Sequence, residues 1–412
     1  MESYFSSNFF SNNRLKLRQL FMGTAPIVIT ANGILQRGGD SVMPFVQDAN
    51  FWYLTGIDLP DIILVIDKND DYLIVPELNP IMEFFDGAID IDFLAKRSGI
   101  TNIYYKNEGI KKLEARLKKV KHLATLSAMP IYQENYHFYA NPARRHLIHL
   151  IKSFQPNINF LDLSNHLTRL RVIKQPEELL ALQRAIDITI GAIKSSMTPS
   201  KLVKYKSEYE LEANLSKFIR NQGALGHAFE PIVAGGAKAC ILHSINNQSL
   251  LRPNDLVLVD MGAEVEHYAA DITRTYIIGS PSKRQREVHQ AVIDVQDYAL
   301  SQIKPNVLPK DYEHKVELYM GEKLRELGLI KTITSENVRK YYPSATSHFL
   351  GLDVHDVGEY QRPLPVGAVL TVEPGIYIRE EGIGVRIEDD VLLDEPTNKI
   401  LSKKLSKNLT LN

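Results

Sequence analysis

Short apolar runs alternate with charged and turn-forming residues along the first half of the chain. Apolar residues recur at helical spacing over residues 12–22 and 110–121, which predicts two amphipathic helices. Such an alternation of helices with short strands predicts an α/β domain for this half. The β-prone runs are 27–30 (IVIT), 50–56 (NFWYLTG) and the predicted hairpin of 62–67 (IILVID) and 72–76 (YLIVP).

A helix-start signal opens the second half. Pro176 follows an extended stretch and precedes two glutamates, a composition preferred in the first turn of a helix. We therefore predict a helix from Pro176 to about Met197 and two domains, 1–173 and 174–412. Further helices are predicted at about 207–222, 282–303 and 309–328, and strands around 239–243, 256–260, 269–279, 369–378 and 384–393, with 256–260 and 269–279 forming an antiparallel hairpin.

Composition and charge restrict the class of protein. The chain has 412 residues, of which 44% are hydrophobic and 24% charged, and its formal net charge is −1. It therefore lacks the basic field that attracts nucleic acid or an anionic membrane. Its apolar runs are shorter than a membrane span or a secretory signal core, and its single cysteine, Cys240, excludes an intrachain disulfide. We expect a cytoplasmic protein with no nucleic-acid and no membrane partner.

Four acids and one histidine lie at the edges of β-prone segments in the second half. A charge beside an apolar run is costly unless it is paired or binds a metal, and aspartate is disfavoured within strands. Each residue alone is compatible with an ordinary structural role, whereas the five together indicate a common site. They are Asp260, Asp271, His348, Glu373 and Glu388.

A buried cluster of four carboxylates requires compensating charge. Without cations the carboxylates would repel one another and take up protons. Two divalent cations would offset the four negative charges. Ligation rich in oxygen, with one imidazole and no thiolate, suits Mn²⁺, Co²⁺ or Zn²⁺, and the sequence does not choose among them.

Six segments resemble those of the pita-bread metallopeptidases. They are GGAKACILH, LVLVDMGAE, AADITRT, SHFLGLDVHDVG, TVEPGIYI and GVRIEDD. The resemblance is dense over about 175–395, extends more loosely to NFWYLTGIDLPDIILVID, and is greatest to the aminopeptidase P branch, the Xaa-Pro aminopeptidases. It implies a mixed α/β (α+β) protein whose C-terminal domain has a curved antiparallel sheet and flanking helices. The implied reaction is hydrolysis of the bond between an N-terminal residue and a following proline.

The resemblance implies a role for each residue of the cluster. All five would bind two divalent metal ions, with Mn²⁺ expected and Co²⁺ or Zn²⁺ as alternatives, and with Asp271 and Glu388 as bridging ligands. A hydroxide that bridges the metals would be the nucleophile, and Glu373 would carry a proton to the leaving nitrogen. His355 would stabilise the tetrahedral intermediate, and His243 would also contact substrate.

Three further residues are implied in the pocket or behind the ligands. Arg386 and Tyr377 resemble the pair that orients the metal ligands in this family. Ser344-Ala345 is a departure, because the family usually has His-Gly there, lining the pocket for proline. Serine cannot carry the charge of an imidazolium, and alanine is less flexible than glycine. We therefore expect intact metal binding with either an altered proline pocket or an impaired catalyst.

Other functions stay open. A proline dipeptidase of the same fold is the nearest alternative, although Thr346-Ser347 resembles the aminopeptidases more. A methionine aminopeptidase is disfavoured by the N-terminal domain, and a creatine-cleaving relative by metal ligands that it does not need. A catalytically silent relative that binds peptides or proteins is supported only by Ser344-Ala345. For the leading function the partners are peptides with proline at the second position, and the resemblance implies a homo-oligomer, either a dimer or a tetramer.

Overall fold

The computed structural model describes residues 3–68, 70–128 and 137–411. The chain divides into two compact units, Met1–Leu170 and Arg171–Asn412. The domain boundary predicted after residue 173 stays a prediction. Compactness alone does not show that either unit folds by itself.

The first unit is built on a mixed six-stranded sheet. Its strand order is β6-β5-β4-β1-β7-β8. The pairs β1–β4 and β4–β5 are antiparallel, whereas β5–β6, β1–β7 and β7–β8 are parallel. The strands are β1 (Ile27–Thr30), β4 (Ile63–Asp67), β5 (Asp70–Val75), β6 (Asn102–Tyr105), β7 (His122–Thr125) and β8 (Asn159–Asp162), and β2 (Gln36–Gly38) pairs separately with β3 (Ser41–Val42).

One predicted strand of this unit is a helix. Residues 49–55 are helical because the Asp48 carboxylate caps the first turn, accepting hydrogen bonds at 3.0 Å from the amides of Asn50 and Phe51. Gly56 then ends the helix in the left-handed conformation, with φ of 67°. The helices are Ser7–Phe21, Ala49–Thr55, Pro80–Asp86, Ile91–Ser98, Lys106–Leu117, Ala143–Phe154 and Ser164–Val172, the last of which crosses the division between the units.

The strands of the second unit pair antiparallel throughout its described part. One sheet has the order β10-β11-β14, a second β13-β12-β9 and a third β15-β18-β19, and β16 pairs with β17. The strands are β9 (Gly226–His227), β10 (Ile232–Gly235), β11 (Leu256–Met261), β12 (Ala263–Val265), β13 (Tyr268–Ala269), β14 (Ile272–Ile277), β15 (Val369–Val372), β16 (Gly375–Ile378), β17 (Ile383–Arg386), β18 (Asp389–Leu392) and β19 (Lys399–Ile400).

The four predicted helices of the second unit begin at or within one residue of the predicted positions, whereas the short helices Pro199–Leu202 and Ser335–Arg339 were not predicted. The helix at Pro176 starts with a capping box, in which the Glu178 side chain accepts from the Gln175 amide at 2.9 Å. The strand predicted around 239–243 is wrong, because Gly236, at φ of 56°, opens a 3₁₀ turn over Gly236–Cys240. The helices are Pro176–Ser196, Pro199–Leu202, Glu208–Asn221, Lys283–Gln302, Pro309–Glu326 and Ser335–Arg339.

A large apolar core joins helices to strands in this unit. Buried residues of the helices Lys283–Gln302 and Pro309–Glu326 belong to the same cluster as those of β15 to β18. Burial of this kind is the main favourable contribution to folding, and it fixes the strand ends on which the polar residues lie. Within the described residues, none of the helices combines the length and apolarity that crossing a bilayer requires.

The predicted hairpin of β11 and β14 is present and brings two acids together. Asp260 pairs with Thr273 and Met261 with Ile272, so Asp271 directly precedes the paired part of β14. Between β11 and β14 the chain forms β12 and β13. Gly262 lies between β11 and β12, where the backbone passes close to Ala270. A Cβ atom at Gly262 would lie 1.6 Å from the carbonyl oxygen of Ala270.

We expect Gly262→Ala to destabilise the protein and to displace Asp260 and Asp271. Insertion of an atom into a well-packed place typically costs about 1–3 kcal/mol, and backbone rather than a flexible side chain must move here. Urea unfolding of the metal-free protein measures the loss. Gly226→Ala is the control, because nothing lies within 4 Å of a Cβ at that glycine, and an equal effect of both changes would contradict the prediction.

Candidate active site and metal centre

Four of the five cluster residues lie at or beside the end of a strand in the second unit, and the fifth, His348, is on a segment that runs beside a strand. Asp260 is near the end of β11, and Asp271 directly precedes β14 rather than lying within a strand. Glu373 follows β15 and Glu388 precedes β18. His348 is held next to β15, because its amide donates to the Thr371 hydroxyl at 3.2 Å.

These strand ends converge on one place. Nε2 of His348 lies 3.4 Å from Oδ2 of Asp271 and 3.4 Å from Oε1 of Glu373. One potential ligand atom from each of Asp271, His348 and Glu388 lies within 4.8 Å of the others. Because side chains from four separate segments meet here, the convergence depends on the fold of the whole unit.

The hydrogen bond of His348 directs a free lone pair into the cluster. Its Nδ1 lies 3.0 Å from the carbonyl oxygen of Phe349, which can only accept. The proton is therefore on Nδ1, and Nε2 presents a lone pair towards the carboxylates. This is the arrangement of a histidine that binds a metal through Nε2.

Arg386 is a cation within the cluster. Its Nη2 contacts Oδ2 of Asp260, its Nη1 donates to the Tyr377 hydroxyl at 2.8 Å, and its Nε donates to the Thr273 hydroxyl at 3.1 Å. Arg386 and Tyr377 are both buried, at 4% and 3% exposure. The predicted pair is thus in contact, and it fixes one oxygen of Asp260.

Burial and mutual repulsion favour protonation of the acids. Burial, followed by the charge of Asp260, raises the pKa of Asp271 well above its usual value. Burial raises the pKa of Glu373 to about 7, against the opposing charges of His348 and Arg386. Burial, followed by the charge of Asp271, also raises the pKa of Glu388. The positive charges of the protein alone therefore do not compensate four ionised carboxylates at this place.

The donor set fits divalent cations. Oδ1 of Asp260 is buried and has no hydrogen-bond donor among the residues that the structure describes. A buried carboxylate oxygen left in this way is costly unless a cation binds it. Carboxylate oxygens with one imidazole nitrogen suit Mn²⁺, Co²⁺ or Zn²⁺, so the residues present can hold such ions.

Two further histidines lie near the cluster. The rings of His348 and His355 are 4.3 Å apart between centroids. Desolvation lowers the pKa of His355 to about 4, and the charges of His348 and His243 act in the same direction. Part of the His355 ring is exposed to solvent, which moderates this effect, but the direction keeps the imidazole neutral at pH 7. His243 is exposed on the loop after the 3₁₀ turn.

The Ser344-Ala345 segment precedes a firmly held stretch of backbone. The Ser344 carbonyl accepts a hydrogen bond from Nη1 of Arg339 at 2.6 Å, whereas Oγ of Ser344 is buried without a partner in the described part of the chain. Two residues later, the Thr346 amide and hydroxyl donate to the Glu313 carboxylate at 3.0 and 2.8 Å. The Thr346 carbonyl in turn accepts from the Glu373 amide at 2.8 Å.

Comparison with known proteins decides the family. Residues 181–395 match Metallopeptidase family M24, and residues 10–124 match Aminopeptidase P, N-terminal domain. The chain belongs to metallopeptidase family M24. This M24 protein is 34% identical to the Xaa-Pro aminopeptidase of Haemophilus influenzae, over 91% of this chain and 89% of that protein.

A sequence and a solved structure from Escherichia coli extend the comparison of the M24 protein. It is 30% identical to the Xaa-Pro aminopeptidase of strain K12, over 95% of this chain and 93% of the relative. The solved structure of E. coli aminopeptidase P with the inhibitor Pro-Leu has a TM-score of 0.84 at 28% identity, covering 98% of this chain and 97% of the other. The predicted pita-bread fold and the predicted class, a metallo-aminopeptidase, are confirmed.

The sequence patterns did not indicate two residues that hold candidate ligands of this M24 enzyme. The Thr273 hydroxyl donates to Oε2 of Glu388 at 2.7 Å, and Oδ2 of Asp390 accepts from the Asp271 amide at 3.2 Å. Alternation along a strand could have indicated Thr273, because residues two apart share a face with Asp271. Asp390 had no such signal, since its run of three acids gives no indication of which one faces which segment.

We expect the metal-free protein to become less stable as pH rises from 5 to 8. Glu373, at a pKa of about 7, and Asp271 and Glu388, with raised pKa values, bind protons more tightly folded than unfolded, where the pKa values are about 4. Their contribution is thus complete below about pH 4 and is lost as pH rises through the folded pKa values. Urea unfolding in a chelator measures the effect.

Saturating Mn²⁺ should remove most of this pH dependence, because bound cations compensate the carboxylates. Glu388→Gln in the chelated protein should reduce it as well, whereas Glu287→Gln, at an exposed helix position, should leave it unchanged. Stability that rose with pH in the chelated wild type, with no difference between the two variants, would contradict the prediction.

Proposed function

We propose that this M24 metallo-aminopeptidase removes the N-terminal residue of peptides that have proline at the second position. The observation that carries the proposal is the convergence of Asp271, His348, Glu373 and Glu388 from separate strand ends. The relatives support the substrate, because two are Xaa-Pro aminopeptidases and one solved structure contains the inhibitor Pro-Leu. Family membership alone would not establish activity, so the site carries the chemical argument.

The proposed ligands form a dinuclear centre. Asp271 and Glu388 would be shared between two cations, and the remaining ligands would be Asp260, His348 and Glu373. A pair of divalent cations, with Mn²⁺ as our first choice and Co²⁺ or Zn²⁺ as alternatives, supplies an activated hydroxide as nucleophile and polarises the peptide carbonyl. The free Oδ1 of Asp260 and the free Nε2 lone pair of His348 are the groups most clearly prepared for this role.

Glu373 is the proposed proton shuttle. A carboxylate can bind a cation through one oxygen and exchange a proton through the other, and in the metal-free protein burial already raises the pKa of Glu373 to about 7. Its amide is fixed to the Thr346 carbonyl at 2.8 Å, so its main chain does not drift while the side chain exchanges a proton. Glu373 would deliver this proton to the proline nitrogen as the peptide bond breaks.

His355 and His243 are the proposed contacts to substrate. A neutral His355 can donate one hydrogen bond to the carbonyl oxygen, and that bond strengthens as negative charge develops there. His243 lies on an exposed loop, where a peptide can reach it. Arg386 and Tyr377 act behind Asp260, because their contacts hold its carboxylate in one orientation.

The second candidate function is a peptide-binding protein with little or no turnover. Its supporting observation is Ser344, whose hydroxyl oxygen is buried without a partner in the described structure. A proline pocket that lacks an imidazole at this position would hold its substrate differently. The ligands argue for the enzyme, because binding alone has little need of a metal centre. The proline dipeptidase is separated from the aminopeptidase only by the length of the substrate.

A matched set of peptides tests the proposal. We expect Mn²⁺-loaded protein to release X from X-Pro-Y and not from N-acetyl-X-Pro-Y, because the reaction requires a free amine. X-Pro and X-Ala-Y complete the set. Cleavage confined to X-Pro would favour the dipeptidase, and cleavage of X-Ala-Y would show that Ser344-Ala345 relaxes the pocket. Folded, metal-loaded protein that cleaves none of them would refute the enzyme.

Asp271→Asn should lower kcat for X-Pro-Y by at least about 100-fold, because an amide is a poor bridging ligand and support of a metal site is commonly worth this much. Asp311→Asn, at an exposed helix position, is the matched control and should retain full activity. The metal content of both proteins, measured by atomic emission, should fall only in the first. Unchanged turnover of Asp271→Asn would remove this residue from the proposed site.

We further propose that the enzyme is cytoplasmic and forms a dimer or a tetramer. These proposals rest on the family resemblance and on the composition of the chain, which has one cysteine and a net charge of −1. Analytical ultracentrifugation of the metal-loaded protein determines the number of subunits.

A further inference from the structure

Arg274, on β14, is a buried cation outside the proposed ligand set. It is 1% exposed. All five N–H groups of its guanidinium can be assigned to acceptors. These come from its own strand, from Glu388 and the first residue of β18, and from the segment after β19. The acceptors are Thr273 O at 2.9 Å, Glu388 O, Oδ1 of Asp389 at 2.7 Å, Leu405 O at 3.0 Å and Ser406 O at 3.0 Å.

Asp389, the ionic partner of Arg274, is also fully bonded. Its Oδ1 accepts a second hydrogen bond, from the Ser402 hydroxyl at 2.6 Å, and its Oδ2 accepts from Nε2 of Gln296 at 2.8 Å. Ser402 Oγ itself accepts from the Asp390 amide at 3.2 Å. A buried ion pair is tolerated only when its geometry is good and its remaining groups are bonded. The pair of Arg274 and Asp389 meets both conditions, so it forms a rigid link between β14 and β18.

The link between Arg274 and Asp389 directly contacts a proposed metal ligand, Glu388. Glu388 contacts Arg274 through its carbonyl, while its amide donates to the Thr273 carbonyl at 3.1 Å and its Oε2 accepts from the Thr273 hydroxyl at 2.7 Å. Both backbone groups and the side chain of Glu388 are therefore bound to β14. Gln296 reaches a second ligand, because its Nε2 also lies 3.3 Å from the Val372 carbonyl, which precedes Glu373.

The segment that closes this network lies beyond residue 395, where the match to family M24 ends. It is firmly attached to the second unit: β19 pairs with β18, the Leu401 amide donates to Asp390 O at 2.8 Å, and the Ile277 amide donates to Leu409 O at 3.1 Å. Leu405 is 2% exposed. Its carbonyl is thus fixed where the guanidinium meets it.

We propose that Arg274, paired with Asp389 and closed by residues 402–406, is a positioning residue that holds Glu388 in the conformation that binds metal. The inference rests on the proposed function, since it takes Glu388 as a ligand. Holding the carboxylate in place before the cation arrives means that binding does not have to order it. The segment 402–406 then belongs to the metal centre functionally, although it supplies no ligand.

Arg274→Lys tests this role because it retains the positive charge but removes the planar guanidinium with its five N–H donors. A single ammonium group cannot reach acceptors in three segments. We expect the Kd for Mn²⁺ to rise by about 10–100-fold, the range found when groups behind metal ligands are removed, and kcat for X-Pro-Y to fall while KM stays near that of wild type. Calorimetric titration of folded protein, checked by circular dichroism, gives the Kd.

Ser402→Ala is a second, milder variant, which removes the hydroxyl that donates to Asp389. It tests the same role if Arg274→Lys fails to fold. It should raise the Kd for Mn²⁺ less than Arg274→Lys does. Arg284→Lys is the control: Arg284 binds both oxygens of Glu381, at 2.7 and 2.8 Å, and touches no proposed ligand. Its Kd for Mn²⁺ should equal that of wild type.

The results separate this inference from the proposed function. A merely structural role predicts a lower Tm for the metal-free Arg274 and Ser402 variants with an unchanged Kd, and that result would overturn the inference while leaving the proposed function intact. Wild-type protein that binds no divalent cation would overturn both. An increased Kd in the Arg274 and Ser402 variants, with Arg284→Lys at the wild-type value, supports the inference.

Discussion

Repulsion among acids held close together is the constraint on which the second unit depends. Asp260, Asp271, Glu373 and Glu388 face one another across strand ends, and Arg386 is a buried cation that contacts Asp260 directly. Without further positive charge, such a group must either bind protons or separate. The raised pKa values of Asp271, Glu373 and Glu388 show the first response. Cations bound by these carboxylates would therefore relieve an interaction that folding has already made unfavourable.

The remainder of the unit prevents the second response, separation. The antiparallel pairing of β11 with β14 fixes Asp260 relative to Asp271, and the apolar core behind β15 to β18 fixes the strands that carry Glu373 and Glu388. Hydrogen bonds then hold individual ligands, as Thr273 does for Glu388. The free energy gained by burying the core thus holds the four carboxylates in an arrangement that would not persist by itself. The proposed ligands would thus be in place before any cation arrives.

Sequence patterns predicted the local parts of this arrangement and missed the long-range ones. The helix at Pro176, the hairpin of β11 and β14 and the strands beside Glu373 and Glu388 follow from apolar periodicity and end signals. The stretch at 50–56 was assigned wrongly because its cap, Asp48, lies outside the aromatic run, and the stretch at 239–243 because the fold needs a turn there. Contacts such as Ser402 to Asp389 join residues whose proximity only the folded chain creates.

The proposed metal ligands and the proposed substrate contacts lie on different kinds of structure. The ligands lie on strand ends tied to the core, whereas His243 and Ala345 are exposed on loops. The bonds of Thr346 to Glu313 and Glu373 fix the backbone between Ser344 and His348. Because this stretch is held in place, we expect Ser344-Ala345 to affect which peptide is cleaved more than whether the cations bind.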